Sequence, residues 1–99
     1  MSVQTTESQI KKIAKEIADS IKNTPADWSV WRAGVYVKHN SLYSFIAYQG
    51  QGLDENVYNN SYEDICEFDY LIENEDEYTE STMKEMIEDD IVDFVDSFN

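Results

Sequence analysis

The residue type that carries chemistry here in quantity is the carboxylate; the nucleophiles and bases that catalysis would need are few and isolated. His39 is the only histidine and Cys66 the only cysteine. His39 stands in the polar run His39-Asn40-Ser41, which reads as a turn, and nothing marks a neighbouring serine or threonine for activation. No Gly-x-Ser-x-Gly elbow, Walker loop, dinucleotide fingerprint or zinc-protease helix occurs. A lone cysteine forms neither an internal disulfide nor a cysteine metal cluster, and Cys66 reads as a small core residue. A calcium loop opening at Asn74 would put Asp76 third and Glu85 twelfth. Its fifth position is then Tyr78 and its sixth Thr79, where the sharp turn requires glycine, so the match fails. Paired carboxylates do acid–base work in glycosidases. With seventeen acids between residues 51 and 99, however, spacing singles out no pair. No catalytic residue, metal site or cofactor is expected, and the protein reads as a non-enzyme.

What the carboxylates form is rows. If Glu67 and Asp69 lie on one strand face they are about 6.7 Å apart, from two residues of rise, close to the spacing of phosphates along a nucleic-acid strand. Glu73, Glu75, Asp76 and Glu77 crowd a polar loop. Glu85, Glu88, Asp89, Asp93 and Asp96 recur at three and four, along roughly 16 Å of one helix side. Two such rows on a rigid body imitate a duplex backbone. These eleven residues are the candidate partner-binding surface.

The charge balance points the same way. Twenty-one acids against seven Lys and Arg give a net charge of −14 over 99 residues. Residues 1–50 hold six bases and four acids, a net of +2. Residues 51–99 hold Lys84 alone against seventeen acids, a net of −16. Such a half repels itself and opposes folding, while a net charge of magnitude roughly 2–8 suffices for solubility in a small domain. A positively charged protein partner accounts for the excess; nucleic acid and anionic membrane are disfavoured as direct ligands.

The elements that would carry these rows fit one domain. Hydrophobic residues make up 41% of the chain, enough for a core and too many for a disordered chain. No apolar run approaches the ~20 residues of a membrane span, and Met1 to Gln9 lacks the apolar stretch of a signal peptide, so a cytoplasmic protein is expected. Residues 6–23 read as an amphipathic helix with Ile10, Ile13, Ala14, Ile17, Ala18 and Ile21 on one stripe, Thr6 and Gln9 as a capping box, and Asn23 as the stop. Its lysines, Lys11, Lys12, Lys15 and Lys22, lie off the stripe.

Trp28–Lys38 and Leu42–Gln49 read as a hairpin. Alternation places Trp31, Ala33, Val35 and Val37 on one face, joined by Tyr43, Phe45 and Ala47. Arg32, Tyr36, Lys38, Ile46 and Tyr48 form a mixed second face, suited to a covering helix or a homodimer contact. Ile65–Ile72 reads as a third strand, with a short helix opening at Ser61 as the alternative. A last helix runs from about Thr82 to Phe98, capped by Thr82 and Glu85, with Met83, Ile87, Ile91, Phe94, Val95 and Phe98 as its stripe. The expected fold is α+β: an α-β-β-β-α domain with a three-stranded antiparallel sheet packed by its N- and C-terminal helices.

In size, charge and mixed layout the chain resembles the small acidic anti-defence inhibitors of phages and mobile elements, anti-CRISPR proteins and other DNA mimics. The resemblance covers the whole chain and rests on no shared motif. It implies a stoichiometric inhibitor, working in the host cytoplasm, that blocks nucleic-acid entry to a CRISPR effector, restriction complex or other nuclease. Two other readings stand beside it. One is an immunity protein that caps a basic toxin nuclease with aromatic anchors such as Tyr58, Tyr62, Tyr70 and Tyr78. The other is an adaptor that dimerises through the hairpin's mixed face.

Overall fold

The computed structural model describes residues 3–99. The first helix, α1 (Glu7–Lys22), starts at its capping box. Thr6 Oγ1 accepts from the Gln9 amide at 3.2 Å, and the Gln9 side chain accepts from the Thr6 amide at 2.9 Å. Two amides that would otherwise lack partners are thus satisfied reciprocally. Ile10, Ala14, Ile17, Ala18 and Ile21 are buried and Ile13 is half-buried against the core, so the stripe is the packed face.

β1 (Val30–Lys38) and β2 (Ser41–Tyr48) form the hairpin, and β3 (Ile65–Glu67) pairs antiparallel with the other edge of β1, giving the order β2-β1-β3. The hairpin turn is two residues long. His39 and Asn40 both take the left-handed conformation, with φ of 52° and 64°, which matches the twist of the flanking strands.

That turn corrects the expected faces. It pairs Lys38 with Ser41, hence Val37 with Leu42, Val35 with Ser44 and Ala33 with Ile46. Odd positions of β1 therefore share a face with even positions of β2, because paired residues point the same way. Ile46 and Tyr48 join Ala33, Val35 and Val37 beneath the helices. Tyr43, Phe45 and Ala47 lie on the other side with Arg32 and Tyr36. Trp31 leaves the core face as well: a bulge between Val30 and Arg32 turns it outward, as an extra strand residue does.

The third strand is also shorter than expected. It ends at Glu67, and the chain turns at Phe68 into α3 (Asp69–Glu73). Phe68 and Leu71 are both fully buried with Ile72 packed beside them, a three-and-four spacing that only a helical turn satisfies. Ahead of β3, Ser61 leads into a single 3-10 turn, Tyr62–Asp64, rather than a helix.

The last helix, α4 (Glu80–Asp96), starts earlier than Thr82. Thr79 is its cap, its hydroxyl accepting from the Thr82 amide at 3.1 Å. Glu80 then falls in the first turn, where a carboxylate suits the helix dipole. α4 lies antiparallel to α1. The Val3 amide donates to Asn99 Oδ1 at 3.1 Å at one end of the pair, and Asn23 Nδ2 donates to Glu80 Oε2 at 3.3 Å at the other. The two helices cover one face of the sheet, and Met83, Ile87, Ile91 and Val95 complete the core. Phe94 and Phe98 are half-buried at its margin, edge to face with centroids 5.1 Å apart.

On the far face, α2 (Glu55–Asn59) presses Val57 onto Tyr36 and Phe45, with Leu53 and Ile65 around them. The hairpin's second face is thus covered in part by a short helix of its own chain.

Candidate functional site

The eleven candidate carboxylates fall into three groups. Glu85, Asp89, Asp93 and Asp96 stand exposed on the outer side of α4, and Glu88 is half-buried beside them, 3.5 Å from Lys84 Nζ. α4 buries its opposite stripe, so these acids share the outward face. Its last turn contains no base, which leaves Asp93 and Asp96 opposed to the negative end of the dipole.

Glu75, Asp76 and Glu77 form one 3-10 turn and are all exposed. Lys22 Nζ reaches the Glu75 carbonyl at 2.8 Å and ties this turn to the end of α1. It neutralises none of the carboxylates directly.

Glu67, Asp69 and Glu73 form the third group, at the β3 edge. Because the strand stops at Glu67, no two-residue row of carboxylates exists on a strand face. Glu67 is instead gripped from β1: Arg32 Nε donates to Oε2 at 3.1 Å while an Arg32 Nη donates to Oε1. The guanidinium also lies over the Trp31 ring, 5.6 Å from its centroid. Asp69 stands next to this pair with no basic side chain within ion-pair distance among the described residues. Partial burial pushes its carboxyl above the ordinary aspartate range; the adjoining Glu67 carboxylate adds to the shift and Arg32 opposes it.

Arg32, Glu67 and Asp69 help to line a cleft of about 550 Å³. Leu53, Val57, Ile65 and Cys66 line it with apolar surface, and Tyr58 and Tyr62 stand beside it 63% and 93% exposed. A side chain as large as tyrosine at 93% exposure contributes almost nothing to the fold. Reading the sequence by rows misses this cleft. Its lining comes from β1, from the 53–65 segment and from the β3–α3 turn, and only the crossing of β3 onto β1 joins them.

Cys66 is half-buried, its thiol pushed up to about 11 by burial and by the charge of Asp90. Tyr70 donates its hydroxyl to Asp90 and so ties α3 to α4. His39 is exposed at the tip of the hairpin turn. Among the described residues, no group of three or more His, Cys, Asp or Glu side chains converges as metal ligands would, and no helix is long and apolar enough to cross a membrane. No protein-family model, curated protein or solved structure matches the chain.

Proposed function

We propose that this protein is a non-enzymatic, stoichiometric inhibitor that lays its acidic side into the Lys/Arg channel of a nucleic-acid-binding protein, a CRISPR effector, restriction complex or other nuclease, in place of nucleic acid. The observation that carries the reading is the outer face of α4. Glu85, Asp89, Asp93 and Asp96 are exposed there without ion-pair partners among the described residues. At its C-terminal end the row works against the helix dipole. A charge pattern that costs stability and fills no structural need suits a complementary surface, where long-range attraction steers association.

A specific observation favours a second reading. Tyr58 and Tyr62 are exposed beside a formed cleft, the arrangement of aromatic anchors by which an immunity protein would cap a basic toxin nuclease.

The test begins with the partner, captured at low salt and identified, and then purified. Inhibition by the acidic protein should be relieved by excess DNA or RNA and should weaken steeply with salt. Charge reversal of Glu85, Glu88, Asp89, Asp93 and Asp96 to Lys should abolish it in a variant that stays helical, whereas reversal of Lys11, Lys12 and Lys15 should not. A partner that holds this protein and its nucleic acid together would overturn the reading.

A further inference from the structure

We infer that the cleft between β3 and the 53–65 segment receives an arginine side chain of the basic partner, stacked against Tyr58 and Tyr62 and paired with Asp69. The inference rests on the acidic-partner reading above and names the contact that would fix the partner's register.

Charge in the cleft is unbalanced by one. Arg32 and Glu67 satisfy each other through two hydrogen bonds, which leaves the Asp69 carboxylate over, with a second carboxylate beside it. An arriving cation removes that repulsion and takes up the free carboxylate. The apolar lining of Leu53, Val57 and Ile65 suits an aliphatic stem, and exposed tyrosine rings, here Tyr58 and Tyr62, attract a delocalised cation. Its volume of about 550 Å³ lies within the roughly 300–1,000 Å³ of ordinary ligand clefts.

Arginine fits better than lysine. A guanidinium is planar, stacks on rings and meets a carboxylate through two parallel N–H donors, none of which an ammonium does. The protein already holds one guanidinium this way: Arg32 lies over Trp31 and grips Glu67. A partner's arginine on Tyr58, Tyr62 and Asp69 would repeat that arrangement on the other side of the same carboxylate pair.

The probe is hexa-arginine amide, with hexa-lysine amide of equal charge as the control, titrated into the intact protein and followed by NMR. Hexa-arginine should shift the Tyr58 and Tyr62 ring signals. Asp69→Asn, and separately the pair Tyr58→Ala with Tyr62→Ala, should each weaken it by about tenfold, the scale of one charged hydrogen-bonded contact. Hexa-lysine should bind more weakly and ignore the tyrosine changes. These positions are surface-exposed, so the variants stay folded. If both variants bind hexa-arginine like the parent, or if the shifts are confined to α4, the inference is overturned. A variant with Glu85, Asp89, Asp93 and Asp96 neutralised separates this from the broader reading. Loss of inhibition there alone, with the cleft variants unaffected, keeps the acidic interface and removes the arginine site. Full inhibition by that variant removes the acidic interface itself.

Discussion

Arg32 on β1 holds Glu67 on β3 through both arms of its guanidinium, with side chains 27% and 22% exposed. The bond closes the short edge strand onto the centre of the sheet, and it also decides which carboxylate beside it stays free. Losing either partner should therefore have unequal effects. Arg32→Met leaves Glu67 and Asp69 together without a cation and should cost roughly 1.5–3 kcal/mol. Glu67→Gln leaves a guanidinium that Asp69 can take over, and should cost about 1 kcal/mol or less. Urea denaturation of the two variants checks the order; equal losses would mean that Asp69 does not take over the guanidinium.

Asp69 sets a pH dependence of its own. A carboxyl whose folded-state pKa is raised favours the folded state when protonated. Its contribution is present at low pH and is lost as pH rises through the folded pKa. Burial is the main cause and Glu67 the second, so Asp69→Asn should stabilise the protein near neutral pH. It should also flatten the gain in stability on acidification from about pH 7 toward pH 4. Urea midpoints across that range decide it. A variant less stable than the parent at neutral pH would show that Asp69 is held by attraction rather than strained by its neighbours.

How much of this was legible in the sequence depended on the range of the cause. Thr6, Gln9 and the isoleucine stripe act within one helix, and α1 follows from them directly. The hairpin was legible as an element, but its faces were not. Whether His39-Asn40 or His39-Asn40-Ser41 makes the turn changes every pairing by one, and the Trp31 bulge adds a further step. In Ile65–Ile72, alternation and helical spacing overlap on the same apolar residues. The burial of Phe68 and Leu71 together decides for a turn, and that burial depends on the helices above. The α4 acids could be placed from their own spacing. The cleft joins Arg32 to a stretch that begins at Leu53, and no local pattern joins Arg32 to Tyr58, Tyr62 or Asp69.

The thiol of Cys66 should be unreactive in the folded protein. With its pKa raised from 9.0 to about 11 by burial, the thiolate at neutral pH is about a hundredfold scarcer than for an ordinary cysteine. Alkylation by iodoacetamide should be slower by at least that factor and should recover in denaturant. A folded-state rate equal to that of a free thiol would mean that the β3 edge opens far more often than its packing against the core allows.

Salt should act on the free protein and on its complex in opposite directions. In the free protein the α4 row repels itself, and ions screen that repulsion over about 8 Å at physiological strength. Added sodium chloride should thus raise the Tm, and neutralising Glu85, Asp89, Asp93 and Asp96 should raise it at low salt by several degrees, about what 1 kcal/mol does in a domain of this size. In the proposed complex the same charges would face cations, so salt and neutralisation should both weaken binding, chiefly by slowing association. The neutralised variant should then be more stable, less salt-sensitive and poorer at inhibition, all from four substitutions. Thermal melts and association rates at low and high salt measure both halves. A parent protein whose Tm is indifferent to salt would mean that the row carries no repulsive strain, and the physical reason for assigning it to a partner would be gone.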